Sequence, residues 1–188
     1  MSIVTIYGGP RRDGNTATVL GWVEDALREG DHSIRRFNTN DLDIRGCQAC
    51  LACGELMDEP GCVVQDDAQQ IFAAMVGADA VVYASPLYMW GVSGQLKPFL
   101  DRTHCLVKDF MGPNYKSFVG GAKATLLVTC MGPLEQNAEW ARDQFIPYAK
   151  YCGYDLIDPW IITGCTEPNR LSQDTKRRAV ELAAKLVT

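Results

Sequence analysis

The first 27 residues place a strand, a glycine-rich turn and a helix in immediate succession. Ile3-Val4-Thr5-Ile6-Tyr7 is a β-branched and aromatic run of the kind that forms a strand. Val19, Leu20, Val23 and Leu27 recur at helical spacing, and Gly30 supplies a stop. Between them lies Gly8-Gly9-Pro10-Arg11-Arg12-Asp13-Gly14-Asn15-Thr16. Glycines let the backbone approach an anion closely, and the following helix presents its positive N-terminal end to the same point. Arg11 and Arg12 add charge, while Asn15 and Thr16 add neutral donors. The functional expectation is a phosphate cradle, and the plain alternative is an ordinary strand-to-helix turn. The loop has neither the Lys-Ser or Lys-Thr ending of a P-loop nor Gly-x-Gly-x-x-Gly spacing.

The alternation continues along the chain. Residues 32–37 read as a second strand. Residues 79–84 and 125–129 are nearly all apolar, as strands covered on both faces are. A further strand falls near 154–162. Helical patterns lie between: one carrying Ile71, Phe72, Met75 and Val76, capped by Asp66 or Asp67, one over 95–106 and one near 134–151. A last helix starts around Ser172 and buries Ala179, Leu182, Ala183 and Leu186. Five strands with intervening helices predict an α/β three-layer sandwich, a parallel five-stranded sheet with helices on both faces. A length of 188 residues fits a single domain over 1–188 with a cysteine-rich loop at 47–62. Residues 108–121 look the least ordered.

Composition narrows the class. A hydrophobic content of 47% and a charged content of 22% are those of a globular protein. A net charge of -5 with no basic stripe argues against a nucleic-acid-binding face. Arg35 and Arg36, like Lys176, Arg177 and Arg178, read as solvated surface. No apolar run is long enough to span a bilayer, and the first residues lack an export signal's charged lead and apolar stretch. A cytoplasmic protein without membrane attachment is expected. Eight cysteines in a reducing compartment predict thiols or metal ligands, not a disulfide framework.

In doubly wound sheets, ligands bind beyond the C-terminal ends of the strands. The Gly8 loop lies at that edge, and so does the segment after the third strand, Ser85-Pro86-Leu87-Tyr88-Met89-Trp90-Gly91-Val92-Ser93. Leu, Tyr, Met and Trp in succession are unusual in a surface loop and suit a flat, apolar, redox-active ring. Core packing or a subunit interface is the alternative for any one of them.

Both segments match one family. Gly-Gly-Pro-Arg-Arg-Asp-Gly-Asn-Thr resembles the Gly-Ser-Pro-Arg-x-x-Gly-Asn-Thr loop of the NADPH-dependent FMN reductases, which have a flavodoxin-like fold. Residues 85–91, followed by Leu96-Lys97-Pro98-Phe99-Leu100-Asp101-Arg102, resemble that family's flavin-ring loop and helix. The resemblance runs from Ile3 to at least Thr129. It implies FMN as cofactor, its phosphate on Gly9, Pro10, Arg11, Arg12, Asn15 and Thr16, chiefly Arg11, Asn15 and Thr16. It implies an isoalloxazine on Pro86, Leu87, Tyr88, Met89, Trp90 and Gly91, with Thr129-Cys130-Met131-Gly132 also approaching. Gly9 departs from the family's serine, which removes a hydroxyl donor. Lys97, Asp101 and Arg102 are expected in packing and interface ion pairing. The resemblance further implies a homodimer or homotetramer, with Trp90 and the cysteine loop as contact points.

Cys47-x-x-Cys50-x-x-Cys53, with Cys62 further on, is the second distinguishing pattern. Three cysteines at intervals of three can wrap a cubane. Zinc more often takes two separated pairs, and free thiols or a reversible disulfide remain open. On this scaffold the set resembles the iron-sulfur flavoproteins, which carry FMN and a 4Fe–4S cluster, although the insert before Cys62 is slightly long. Pro60-Gly61 favours a turn back to Cys62. Cys105, Cys130, Cys152 and Cys165 read as packing residues.

No Ser/His/Asp arrangement or carboxylate pair stands out, and neither His32 nor His104 is given a catalytic role. A flavin accounts for that, because hydride passes to the ring itself and the protein supplies binding, orientation and electrostatics. Three functions stay in view. NAD(P)H reduces the flavin, which passes electrons to free flavin, a quinone or another small acceptor. Ferredoxin feeds a cluster, which feeds FMN. Or the chain is a flavin-binding sensor whose cysteines report redox state.

Overall fold

The computed structural model describes residues 1–188. The chain runs β1 (Ser2–Tyr7), α1 (Asn15–Glu29), β2 (Ser33–Asn38), α2 (Ala68–Met75), β3 (Ala80–Tyr88) and a short β4 (Gly91–Val92). It continues through α3 (Lys97–Arg102), β5 (Val107–Lys108), β6 (Lys116–Ser117), β7 (Lys123–Thr129) and α4 (Glu139–Cys152). It ends with β8 (Asp155–Leu156), β9 (Trp160–Ile162) and α5 (Gln173–Val187).

The main sheet is ordered β2-β1-β3-β7-β8, with β9 also on β7, and all of these pairings are parallel. This is the flavodoxin-like arrangement expected. The fifth strand is broken. Ala124 pairs with Leu156, but Leu127 pairs with Trp160, so an extra residue is taken up between them. Pro159 lies at the break, where it has no N–H for the ladder.

Side chains alternate between two cores, as period-2 strands require. Val4, Ile6, Val81 and Tyr83 pack with α2, α3 and α4 through Ile71, Met75, Phe99 and Phe145. Ile3, Val82 and Ala84 face α1 and α5, against Leu20, Leu27, Leu182 and Leu186.

Three expectations are corrected. Residues 85–93 are not a plain loop: β3 runs on to Tyr88 and folds back as a hairpin with β4, because Leu87 pairs with Val92 and Tyr88 with Gly91. The helix expected over 95–106 is α3 followed by a tight turn at Thr103–Leu106. Residues 108–121 are built structure, since β5 and β6 form a small antiparallel hairpin and Lys108 is buried.

Candidate functional site

A cleft of about 300 Å³ opens beyond the C-terminal ends of β1, β3 and β7. That is the lower end of the size range of ligand sites, roughly 300–1,000 Å³. Pro10, Arg11, Asn15 and Thr16 line one wall. Above them α1 follows Gly14, its N-cap residue, which gives no side-chain cap, and its first turn holds no acidic residue. Its free N–H groups and positive end are therefore available to an anion. Asn15 donates to Thr166 O (3.3 Å), which leaves its buried Oδ1 without a partner. That acceptor suits an N–H or O–H of a ligand, so toward an anion Asn15 offers its backbone N–H. The Thr16 hydroxyl is buried against that of Thr129 (2.6 Å), so the two share one donor toward the cleft. Arg12 does not line the cleft and pairs with Asp41 (3.1 Å).

Gly9 is buried beneath this loop, and Tyr7 explains why it carries no side chain. A Cβ on Gly9 would fall 2.1 Å from the Tyr7 hydroxyl oxygen. That hydroxyl donates to Arg11 O (2.5 Å), bracing the loop from below. Burial raises the Tyr7 pKa, which keeps the phenol a donor. Gly8 is equally constrained, because its Cβ would meet Leu96 Cβ at 2.4 Å. The Ser93 hydroxyl donates to Gly8 O, and Ser93 N donates to Ser85 Oγ (2.9 Å). These buried bonds fasten the first loop to the second.

Pro86, Leu87 and Tyr88 line the opposite wall. The hairpin tip holds Met89 and Trp90 at φ of 46° and 64°, a left-handed conformation unusual for such residues. Met89 is left 83% exposed. Both flank an adjoining hollow of about 290 Å³, which shares Leu87, Cys130 and Met131 with the cleft. Trp90 lies 6.2 Å from Trp140 of α4, ring to ring. Gly91 lines neither cavity. Cys130 and Met131 stand at the cleft, as the segment after β7 was expected to.

Sequence reasoning missed Tyr7, Cys165 and Thr166. Their only signal is position, at or just past the C-terminal ends of β1 and β9. Cys130 and Cys165 were read as packing residues, yet both reach the cleft. Burial raises both thiols, Cys165 to about 11.

The four candidate metal cysteines are free thiols, with Cys47 and Cys50 exposed and Cys53 and Cys62 half-buried. All four line one small cavity of about 40 Å³, together with Cys105, Arg102 and His104. Cys105 thus belongs to the loop's surroundings, and burial pushes its thiol up to about 12. No three His, Cys, Asp or Glu side chains form a group that could hold a metal ion. Ala49 and Leu51 take left-handed φ values of 50° and 60° between the first three thiols. The long insert does loop back, and Gly61 is packed against Leu56, where a Cβ would lie 2.7 Å from Leu56 Cδ1.

The stems of this loop are pinned from α3. Arg102 is almost wholly buried and pairs with Asp66 (2.5 Å). The same guanidinium donates to Arg45 O (3.2 Å) before Cys47 and to Val64 O (2.8 Å) after Cys62. Asp66 in turn accepts from Arg45 N and from Ala68 N (3.0 Å), the first residue of α2, whose N-cap residue Asp67 makes no side-chain cap bond. Arg102 is therefore an internal tie, the packing half of what was expected of this group, whereas Lys97 and Asp101 form an exposed pair (2.6 Å). Arg102 Nε is buried without a partner, and the Cys62 thiol lies beside the guanidinium. Lys108, 1% exposed, donates to Cys53 O (2.6 Å) and has no carboxylate partner. His104 is exposed and bonded to the Tyr151 hydroxyl.

The pattern of the NADPH-dependent FMN reductases matches residues 1–153. The chain belongs to that family. An iron-sulfur flavoprotein of Methanocaldococcus jannaschii is 33% identical over 124 residues, 66% of this chain and 61% of that protein. An iron-sulfur flavoprotein of Methanosarcina thermophila is 33% identical over 105 residues, 55% of this chain and 52% of that protein. The chain thus spans about half to three fifths of the length of these relatives. An FMN-dependent NADH-azoreductase from Bacillus anthracis, solved with FMN, superimposes with a TM-score of 0.70 over 100% of both chains at 14% identity, which shows the fold. No helix is long and apolar enough to cross a membrane.

Proposed function

We propose that this protein is an FMN-dependent oxidoreductase that takes electrons from NAD(P)H and delivers them to a small acceptor such as a flavin or quinone. One observation carries this reading: the uncapped α1 terminus and the apolar hollow at Leu87, Met89, Trp90 and Met131 belong to one continuous recess. A phosphorylated planar ring needs both. Pro10, Arg11, Asn15 and Thr16 would hold the phosphate end, and Pro86, Leu87 and Tyr88 the ring. Bound FMN supplies hydride acceptance and release. The chain's own part is to orient the ring, to exclude water with the apolar wall, and to leave one face open. A second copy, in a homodimer or homotetramer, would cover the exposed Met89 and Trp90. The cytoplasm suits a protein with eight free thiols. Anaerobic mixing of the FMN-loaded protein with NADPH or NADH should bleach the flavin absorbance within a second. A flavin that neither nucleotide bleaches overturns this reading.

A second reading is favoured by the cysteine loop. Here Cys47, Cys50, Cys53 and Cys62 hold a 4Fe–4S cluster, and a one-electron donor such as ferredoxin feeds FMN through it. Support comes from the shared cavity, from the orphaned Arg102 Nε and unpaired Lys108 facing sulfur, and from the names of the relatives. Those donors suit a sulfur-rich anion, although the thiols would have to draw together to bind it. Iron, acid-labile sulfide and FMN measured on protein purified without oxygen decide between the readings. Four irons and four sulfides per FMN are the expected result for the cluster. Zinc, or thiols alone, would leave the first reading standing.

A further inference from the structure

We infer that Cys130 and Cys165 form a reversible disulfide in the floor of the cleft, and that this bond weakens the hold of the cleft on a phosphorylated ligand. Control of FMN binding rests on the reading above; formation of the disulfide does not. The two residues are joined through the backbone. Cys130 leaves the end of β7, and Cys165 follows β9, the neighbouring strand. Cys165 N donates to Cys130 O (2.9 Å), and Cys130 N donates to Ile162 O (2.9 Å). The Cys165 thiol donates to that same Ile162 oxygen (3.3 Å). Gly164, at a φ of 70°, makes the turn that returns Cys165 to Cys130. Chains bonded in this way run about 4.8 Å apart. A disulfide needs α-carbons roughly 4.4–6.8 Å apart, so the backbone already stands in range. Both residues are free thiols on the wall of an open cleft, within reach of a small oxidant.

Each cysteine is next in sequence to a contact that positions the first turn of α1. Cys130 follows Thr129, whose hydroxyl is bonded to that of Thr16 (2.6 Å). Cys165 precedes Thr166, whose carbonyl accepts from Asn15 (3.3 Å). Asn15 and Thr16 open α1 at the anion end of the cleft. Drawing the two sulfurs together therefore pulls on both contacts at once. It also takes the Cys130 thiol from Gly132 O (3.3 Å), at the edge of the adjoining hollow.

The oxidant is a hydroperoxide, with hydrogen peroxide as the simplest case. The sulfur of Cys165, the less buried of the two, attacks a peroxide oxygen. The O–O bond breaks, giving a sulfenic acid on Cys165 and one water. The Cys130 sulfur then displaces that hydroxyl as a second water, and the S–S bond forms. The two thiols have lost two electrons and two protons, and the peroxide has taken them up. A small dithiol reverses the step by exchange. Burial keeps both thiols protonated at neutral pH, so oxidation is slow there and quickens as pH rises.

The test uses the full chain as wild type, Cys130→Ala and Cys165→Ala. Each is reduced, treated with hydrogen peroxide at about pH 9, where more of each thiol is ionised, and then titrated with FMN. Tandem mass spectrometry of unreduced peptides from wild type should show Cys130 linked to Cys165. The wild-type dissociation constant for FMN should rise about tenfold, as when one or two hydrogen-bonded contacts are misplaced. Dithiothreitol should reverse both changes. Each variant, compared with itself before and after peroxide, should keep its FMN affinity. Absence of that linkage in wild type, linkage with unchanged affinity, or an equal loss of affinity in the variants overturns the inference. An untreated wild type that binds no FMN overturns the FMN reading and, with it, control of FMN binding, while the peptide linkage still decides the disulfide.

Discussion

Tyr7 occupies the space into which a side chain at Gly9 would project, with the two positions 2.1 Å apart once a Cβ is placed on Gly9. Where the family's loop carries serine, this chain carries glycine, and the buried tyrosine one turn of strand earlier is the physical reason. Tyr7 in turn braces the loop, since its hydroxyl donates to Arg11 O.

Gly9→Ala should therefore destabilise the protein by about 1–3 kcal/mol, the usual penalty of overpacking. In a Tyr7→Leu background the same change should cost under about 1 kcal/mol, because the clash is gone. A double-mutant cycle by urea unfolding, with FMN titration alongside, checks this. Additive effects would show that the two positions are independent.

Asp66 sets a pH dependence. Burial alone would raise its carboxyl, but the Arg102 guanidinium and the N–H groups of Arg45 and Ala68 outweigh that, and its pKa lies below the ordinary 3.8. A carboxylate depressed on folding contributes stability above its unfolded pKa and loses it as pH falls through the folded value. Stability should thus fall below about pH 4. Asp66→Asn should lose about 3–5 kcal/mol at pH 7, since it strands a buried guanidinium, and should flatten the slope below pH 4. Unfolding free energies between pH 3 and 7 test it, and a parallel slope in the variant would contradict the assignment.

Cys165 offers a chemical readout of the cleft. Its thiol is pushed up to about 11 by burial, with Cys130 adding to the effect. The thiolate is the reactive form, so iodoacetamide labelling should rise about tenfold per pH unit between roughly pH 7 and 10. Excess FMN should slow labelling of both Cys130 and Cys165, which mass spectrometry of peptides resolves. Labelling indifferent to FMN would remove these residues from the ligand site.

Much of this architecture was legible in the chain. The strand-turn-helix at residues 3–27 and the apolar strands gave the parallel sheet, because both patterns are local and periodic. What escaped depends on contacts distant in sequence. Nothing near Arg102 announces Asp66, thirty-six residues away, or the stems of the cysteine loop. Lys108 looked like loop because two-residue strands such as β5 have no readable period. Tyr7 was read as the last residue of a strand, and only the fold shows its hydroxyl turning under the Gly9 backbone. The hairpin at 85–93 was hidden because Met89 and Trp90 occupy left-handed positions where glycine or asparagine is the usual signal.

The tie from Arg102 to Arg45 and Val64 has a consequence for how such a segment varies over time. Both ends of the cysteine loop are anchored to α3, so residues 54–61 hang between fixed posts. Lengthening a tethered segment is cheap, about 0.6 kcal/mol for each doubling. Insertions between Cys53 and Cys62 should therefore cost little, whereas loss of the Arg102 ties would free both ends of the loop. The loop can therefore change in length without refolding the domain around it.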